Sequence, residues 1–542
     1  MDPAAPAESP TKLWFRPSLT ELACLFTAPF LVLIYGWLLD DAYVYFRYVD
    51  NLLIHNSGLV WNRGEYVEGF SSPAWMMLLV VTRSLKWNYM FIVRLVGVLS
   101  YLVFWWLACL SNRWLSGPKT ETSLNLPLVY LSFTYGVLCY FTSGLESPLV
   151  LIAAAAFAAS IARPRSIVMQ GLVGLSPLIR HELALPLILL FAYQTYRTRR
   201  PPLVGVATAV LTLGGYLVFR IWYYADFFPN TFYLKDTTWV FQGLLYVFDT
   251  ALPYQTVPFL IAAGIAFAAM RKRGAESLYS GERALMLICA GSVAAYVVKI
   301  GGDPRHFRYL AFPYCLAVLA TGGLAERLVT DWKRQRVYGL ALTFALGLFA
   351  MSNFPRQLNV HPIFGEFTDI PDRGVMHIND AESHRHRAKS PFSPGLTEWG
   401  AELSWGAAIH RRKENRGSTK PIQVSPWCNN GYWAAGQPSI IAYGLTDAFL
   451  ARTEMVEDRP AHKKGLFDLA HNIAGLRNRQ GFGLGAFAKT AGRKRTPAWI
   501  AQNQPVLAEI EKRVYNDHHF VTNLGLALTR VGKIDPGPQP VD

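Results

Sequence analysis

Between residues 19 and 353 the chain is a succession of long apolar blocks broken by short basic loops, and that pattern constrains its fold more than any other feature. A helix needs about 20 mostly apolar residues to cross the hydrocarbon core of a bilayer. Strong candidates are 19–39, 91–110, 127–141, 148–161, 203–224, 257–270, 284–300, 309–324 and 337–353, with weaker ones at 73–85, 167–178 and 183–195. The expected fold class is therefore a polytopic α-helical membrane protein. Block 19–39 is too long, and lacks the small-residue cleavage site, for a removed signal peptide. We read it as the first span, after a disordered cytoplasmic N-terminus at 1–18. Residues 354–542 have ordinary soluble composition and are expected to form an accessory domain, α+β or β-rich.

The net charge of +15 would suggest nucleic acid on a soluble chain. Here the clusters Arg197–Arg200, Arg271–Arg273 and Lys333–Arg336 flank apolar blocks. Such flanking marks cytoplasmic loops, so no nucleic-acid partner is expected. Parity then places Asp40–Ser72, Arg180–Glu182, 225–256, Gly301–Arg308 and the tail outside. An outside tail needs an odd number of crossings, about eleven, so one candidate between 73 and 161 should not cross. Five of the six cysteines lie in apolar blocks, Cys428 stands alone in the tail, and no CxxC occurs. Neither a tail disulfide nor a zinc site is indicated.

The outward loops hold the unusual polar residues. Asp40 and Asp41 follow the first block directly, where adjacent carboxylates are costly unless they meet water, a cation or a donor. They are either a cap with a surface ion pair or a general base held at the bilayer surface. Tyr43, Val44, Tyr48 and Leu52 form an apolar stripe after them, with Arg47 and Asp50 off it, as in a helix lying along the interface. Glu68 ends the first loop near the next block, and Glu146 sits in Ser143–Pro148 between two blocks. Each is either a local structural acid or a site carboxylate. Arg180, His181 and Glu182 interrupt the run 167–195, where ionisable residues are expensive and an arginine can pair with a phosphate bidentately. Lys235 closes the loop that begins at Asp226. In Gly301–Arg308, two glycines permit tight backbone approach, and Asp303, Arg305, His306 and Arg308 follow, a set suited to a lipid-borne phosphate. In the tail, Trp427 and Trp433 lie in a segment rich in Gly, Asn and Pro; they either build a core or stack on sugar. No GxGxxG, Walker, HExxH or nucleophile-elbow motif is present, so nucleotide-sugar binding on a Rossmann domain has no support.

The stretch DDAYVYFRYVDNLLIHNSGLVWNRGEYVEGFSSP at 40–73 resembles the first outer loop of GT-C glycosyltransferases related to the mycobacterial terminal β-(1→2)-arabinofuranosyltransferase family. TSGLES at 142–147, LIRHE at 178–182, WYYADFFPNTFYLK at 222–235, GGDPRHFRYL at 301–310 and YGLTDAFLAR at 443–452 follow in order. The resemblance implies a GT-C transmembrane catalytic domain over 19–353 and an extracytoplasmic accessory domain over 354–542, in the bacterial plasma membrane. It implies a polyprenyl-phosphate sugar donor, arabinofuranose in the named relatives, and a polysaccharide or glycolipid acceptor. Asp40 and Asp41 match the family's paired catalytic aspartates, with a divalent cation, Mg or Mn, as a possible companion. Arg180, His181, Lys235, Arg305, His306 and Arg308 take the donor-phosphate role, with Glu68, Glu146, Glu182 and Asp303 as supporting acids and Trp427 and Trp433 toward the acceptor. The alternatives are a lipid-linked sugar flippase or transporter, which would carry its polar site at midplane in repeated halves, and a non-catalytic GT-C-like assembly factor.

Overall fold

The computed structural model describes residues 15–34, 36, 38–39, 41–117, 121, 123–234, 238–251, 281–303, 307–330, 423–425, 428, 439–441, 444–453 and 497–534. Helices dominate it. In chain order they are α1 (Leu19–Ile34), α2 (Ala42–Leu53), α3 (Pro73–Ser84), α4 (Tyr89–Ser116), α5 (Leu126–Phe133), α6 (Tyr135–Tyr140), α7 (Ser147–Ala162), α8 (Ile167–Gly174), α9 (Ser176–Ile179), α10 (Ala184–Thr198), α11 (Leu203–Tyr224), α12 (Asn230–Leu234), α13 (Val240–Ala251), α14 (Gly281–Lys299) and α15 (Ala311–Thr330). The expected spans 257–270 and 337–353 and the boundary at 353 lie outside the described residues.

The helices start where the chain supplies caps. Ser72 accepts from Trp75 N at 3.3 Å with Pro73 in the first turn, and Asn88 accepts from Phe91 N at 2.8 Å. Among the described helices, α4, α11 and α14 are long and apolar enough to cross a membrane, consistent with a membrane protein. Block 127–141 is not one helix: Thr134 adopts an extended backbone and separates α5 from α6. Likewise α3, at 12 residues, spans only about 18 Å, short of a bilayer core.

Helix α7 lies at the centre, against α4 and α15. Its buried run Ala153–Ala156 lets neighbouring backbones approach closely, as small residues do in membrane bundles. Two polar clusters mark the two ends of the bundle. At one end Glu21 of α1 pairs with Arg113 of α4 and accepts from Asn125 at 2.8 Å, while Arg283 of α14 donates to Ala320 O of α15 at 2.6 Å. The segments at 38–39, 41–42, 142–146, 178–182, 299–303 and 307–310 meet at the other end.

The described tail holds a two-stranded sheet of three-residue strands, β1 (Gln423–Ser425) and β2 (Ser439–Ile441), paired in parallel with Val424 opposite Ile440. Helices α16 (Ala448–Ala451), α17 (Pro497–Val514) and α18 (Phe520–Leu528) follow. The tail docks on the first outer loop. Trp61 Nε1 donates to Ser439 O at 2.9 Å, and Tyr66 N donates to Val514 O at 2.8 Å. Helix α2 is consequently not an open interfacial helix. Residues 42–50 are all buried, including Arg47 and Asp50. Arg47 stacks on Trp61 at 4.4 Å and donates to Ser439 Oγ at 3.0 Å, and Asp50 accepts from Tyr89 OH at 2.7 Å.

Candidate active site

Asp41 precedes α2, but its carboxylate does not cap that helix. It turns to Arg308, whose Nη1 lies 2.9 Å from Asp41 Oδ2. Arg308 also lies 3.6 Å from Asp303 and 3.7 Å from Glu146. Glu146 in turn takes Arg180 Nη1 at 3.0 Å, and Arg180 pairs with Glu182. One chain of charges thus joins four segments that lie far apart in sequence.

Local geometry explains the convergence. Leu39 N donates to Ser143 O at 3.0 Å, and Trp75 Nε1 to Gly144 O at 2.9 Å. Gly144 has φ +77°, and a Cβ there would stand 2.3 Å from Leu38 Cδ1. Only glycine lets the loop carrying Glu146 close against the turn carrying Asp41. Gly302, at φ +80°, would drive a Cβ into the Tyr246 ring at 2.5 Å. Phe307, a non-glycine at φ 63°, aims Arg308 inward; backbone strain of this kind collects at functional sites.

Exposure separates the carboxylates. The side chains of Glu146 and Asp303 are 1% exposed, Glu182 is 8% exposed, and Asp41 is 26% exposed. Asp41 is the most exposed of these four. Burial opposes the charge on Arg308, but Asp303 and Glu146, then Tyr309 and Asp41, more than offset it and raise its pKa well above the ordinary arginine value. Burial would raise Glu182, yet Arg180 and His181 hold its carboxyl below the usual range. Two buried atoms, Glu146 Oε2 and Arg308 Nε, make no hydrogen bond among the described residues. Buried polar atoms without a partner are uncommon and mark places of strain, catalysis or a bound water or ion.

A cavity of about 120 Å³ opens beside the network. Arg180, His181, Glu182, Tyr309, Ser71 and Lys299 contribute to its lining, and Arg180 lies 4.2 Å over the Tyr309 ring. Lys299, exposed in the last turn of α14, was not expected here, because a lysine ending an apolar block reads as a flanking anchor. Asp41 does not line this cavity; it joins it through Arg308 and Glu146.

Glu68 belongs elsewhere. It is buried in an ion pair with Arg220 at 2.5 Å and accepts from Tyr216 OH at 2.8 Å, so it braces α11 against the first loop. Asp40, Lys235, Arg305, His306, Trp427 and Trp433 lie outside the described residues. The neighbouring Cys428 reaches the site, its Sγ 3.9 Å from Asp41 Oδ1. Among the described residues no three carboxylate, His or Cys side chains form a metal-binding group. The Arg308 guanidinium, at 2.9–3.7 Å, pairs with Asp41, Glu146 and Asp303, and Asp40, the other acid expected at a cation, lies outside the described residues.

The class defined by this geometry is a helical membrane-type bundle with a charged site at one end, covered by a docked tail. The chain is related to the terminal β-(1→2)-arabinofuranosyltransferases. It is 31% identical over 350 residues to the protein of that name from Mycobacterium tuberculosis, covering 55% of this chain and 54% of the relative. It is 28% identical over 364 residues to the one from Corynebacterium glutamicum, covering 57% and 51%. The chain thus spans about half the length of the curated relatives it matches. No family model matches it, and no solved structure matches significantly.

Proposed function

We propose that this protein is a multi-pass membrane glycosyltransferase. It transfers a sugar, arabinofuranose by analogy with its relatives, from a polyprenyl-phosphate donor to a cell-envelope glycan on the extracytoplasmic face of the plasma membrane. The observation that carries this reading is the partly exposed carboxylate of Asp41, fixed by Arg308 beside a cavity lined by Arg180, His181 and Lys299. Two relatives named as arabinofuranosyltransferases support it.

In the proposed reaction the donor's phosphate enters the cationic cavity. An acceptor hydroxyl attacks the anomeric carbon as the carbon–oxygen bond to phosphate breaks. The hydroxyl proton passes to Asp41, with Asp40 as its candidate partner, and polyprenyl phosphate leaves. Charge grows on the leaving phosphate, and preorganised cations stabilise that growth most in the transition state. Glu146 and Glu182 neutralise and orient the arginines and touch no reacting atom. No step is assigned to a metal.

The test is incubation of the purified protein in nanodiscs with polyprenyl-phospho-sugars and an envelope glycan. A glycan extended from the arabinofuranose donor is expected. Movement of intact lipid-linked sugar across the bilayer without bond cleavage would favour a flippase, and donor binding without either outcome a non-catalytic assembly factor.

A further inference from the structure

Helix α18 is built inside out for a helix in water. Its one buried side chain is Asn523, while Phe520, Val521 and Leu528 are 38%, 71% and 68% exposed. In water the apolar residues would turn inward and the asparagine outward. Asn523 is buried because it holds the helix in place. Its Nδ2 donates to Trp222 O at 2.7 Å and to Asn516 Oδ1 at 2.8 Å, and Asn516 Nδ2 donates to Tyr223 O at 3.2 Å. Trp222 and Tyr223 lie in the last turn of α11, so the C-terminal segment meets two carbonyls that have no acceptor role left within that helix.

Helix α11 supplies the surface that α18 adjoins. Val204, Leu211, Val218 and Trp222 recur at helical spacing and form one stripe along it, and all four are exposed. Helix α11 is long and apolar enough to cross a bilayer, and an exposed apolar stripe on such a helix is the side that meets lipid tails. The stripe ends at Trp222, whose ring lies 5.6 Å from that of His518, two residues before α18. At the other end of α18, Leu528 lines one hollow with the exposed rings of Phe228 and Phe232. Tyr515, just after α17, is 50% exposed. Rings of Trp and Tyr collect where a membrane meets water, and connected apolar exposure marks a surface with a partner.

We propose that α18 is an interfacial membrane helix, with Phe520, Val521 and Leu528 set among the lipids at the end of α11. Its nine residues make about 14 Å of helix, too short to cross a bilayer. Such a helix lies in the bilayer surface with its apolar side chains about 5–10 Å deep. Asp517, His519 and Arg530 are exposed and bracket the helix with polar groups suited to the headgroup layer. The partner is the bilayer rather than a second protein because the same apolar exposure runs on along a helix that can cross it. The inference rests on the membrane reading of α11 but not on sugar transfer.

The experiment is photo-crosslinking of the full-length wild-type protein in phosphatidylcholine nanodiscs that include a phosphatidylcholine with a diazirine on one acyl chain. Adducts are mapped by mass spectrometry and are expected on 520–528 as well as on α11. A protein without adducts on 520–528 would overturn the proposal, whether or not α11 carries them. Spin labels check the depth. All six cysteines are buried, so a nitroxide can be placed at Val521→Cys, at Leu528→Cys or, for comparison, at Lys512→Cys on α17, where the side chain is 59% exposed. At 521 and 528 the ratio of collisions with oxygen to collisions with a soluble nickel chelate should be at least about threefold that at 512. A ratio equal to that at 512 would put α18 in water, and shielding from both reagents would give its face to a protein surface; either result would overturn the proposal. Neither readout measures sugar transfer, so a negative result leaves the transferase reading intact.

Discussion

Arg308 holds the site together, so its removal is the sharpest perturbation. Its guanidinium lies 2.9, 3.6 and 3.7 Å from Asp41, Asp303 and Glu146. At an effective dielectric constant of about 20, each attraction is worth roughly 5 kcal/mol before desolvation and mutual repulsion of the acids are counted. In Arg308→Gln the attractions vanish and two fully buried carboxylates remain beside a third. Breaking a buried pair from one side costs about 3–5 kcal/mol net, and that loss is expected in the stability of the folded protein. The cause can be isolated by a second change. Asp303→Asn removes one stranded charge, so Arg308→Gln/Asp303→Asn should be more stable than Arg308→Gln alone, although it carries more substitutions. Thermal unfolding in one detergent, followed by tryptophan fluorescence, measures both. A double variant that melts at or below the single one, or a single variant that melts like wild type, would refute the electrostatic account.

Three further outcomes follow. Lys299→Ala, which leaves the ion pairs intact, should raise KM for the lipid-phosphate donor about tenfold with a smaller effect on kcat, read from donor-concentration series. Arg47→Met should loosen the tail from the first loop by removing donors to Trp61 O at 2.8 Å and Ser439 Oγ, read as faster proteolysis after residue 353. Asp447 caps α16 through Phe449 N and Leu450 N, both at 2.9 Å, and burial pushes its pKa up to about 6 from 3.8. A carboxyl raised in the folded state binds its proton more tightly there, so its contribution is fully present below pH 3.8 and is lost as pH rises through 6. Asp447→Asn keeps the accepting oxygen and should flatten that part of the stability profile, a difference on the order of 2–3 kcal/mol.

Much of the site was legible because charge inside apolar sequence is expensive and therefore conspicuous. Asp41, Glu146, Arg180, Glu182, Asp303 and Arg308 all stood out for that reason, and all fall in one network. What the sequence could not give was partners. Glu68 looked like a site acid because Arg220, 152 positions away, lies inside an apolar helix where no local pattern signals an ion pair. Arg47 read as a charge off the apolar stripe of an interfacial helix, whereas its Nη1 donates to Ser439, brought in by the tail. Lys299 was hidden by its position, since a basic residue at the end of a span has an ordinary topological use. The break at Thr134 was equally silent, because the residues on both sides are apolar and continue the pattern of one helix.

The central claim is that Asp41 takes the acceptor's proton at a site built by Arg308. The direct measurement is the single-turnover rate of sugar transfer by Asp41→Asn, with its melting curve recorded beside it. A fall of at least a hundredfold in a protein that still folds and binds donor is expected. A folded Asp41→Asn variant that transfers sugar at the wild-type rate would contradict the account.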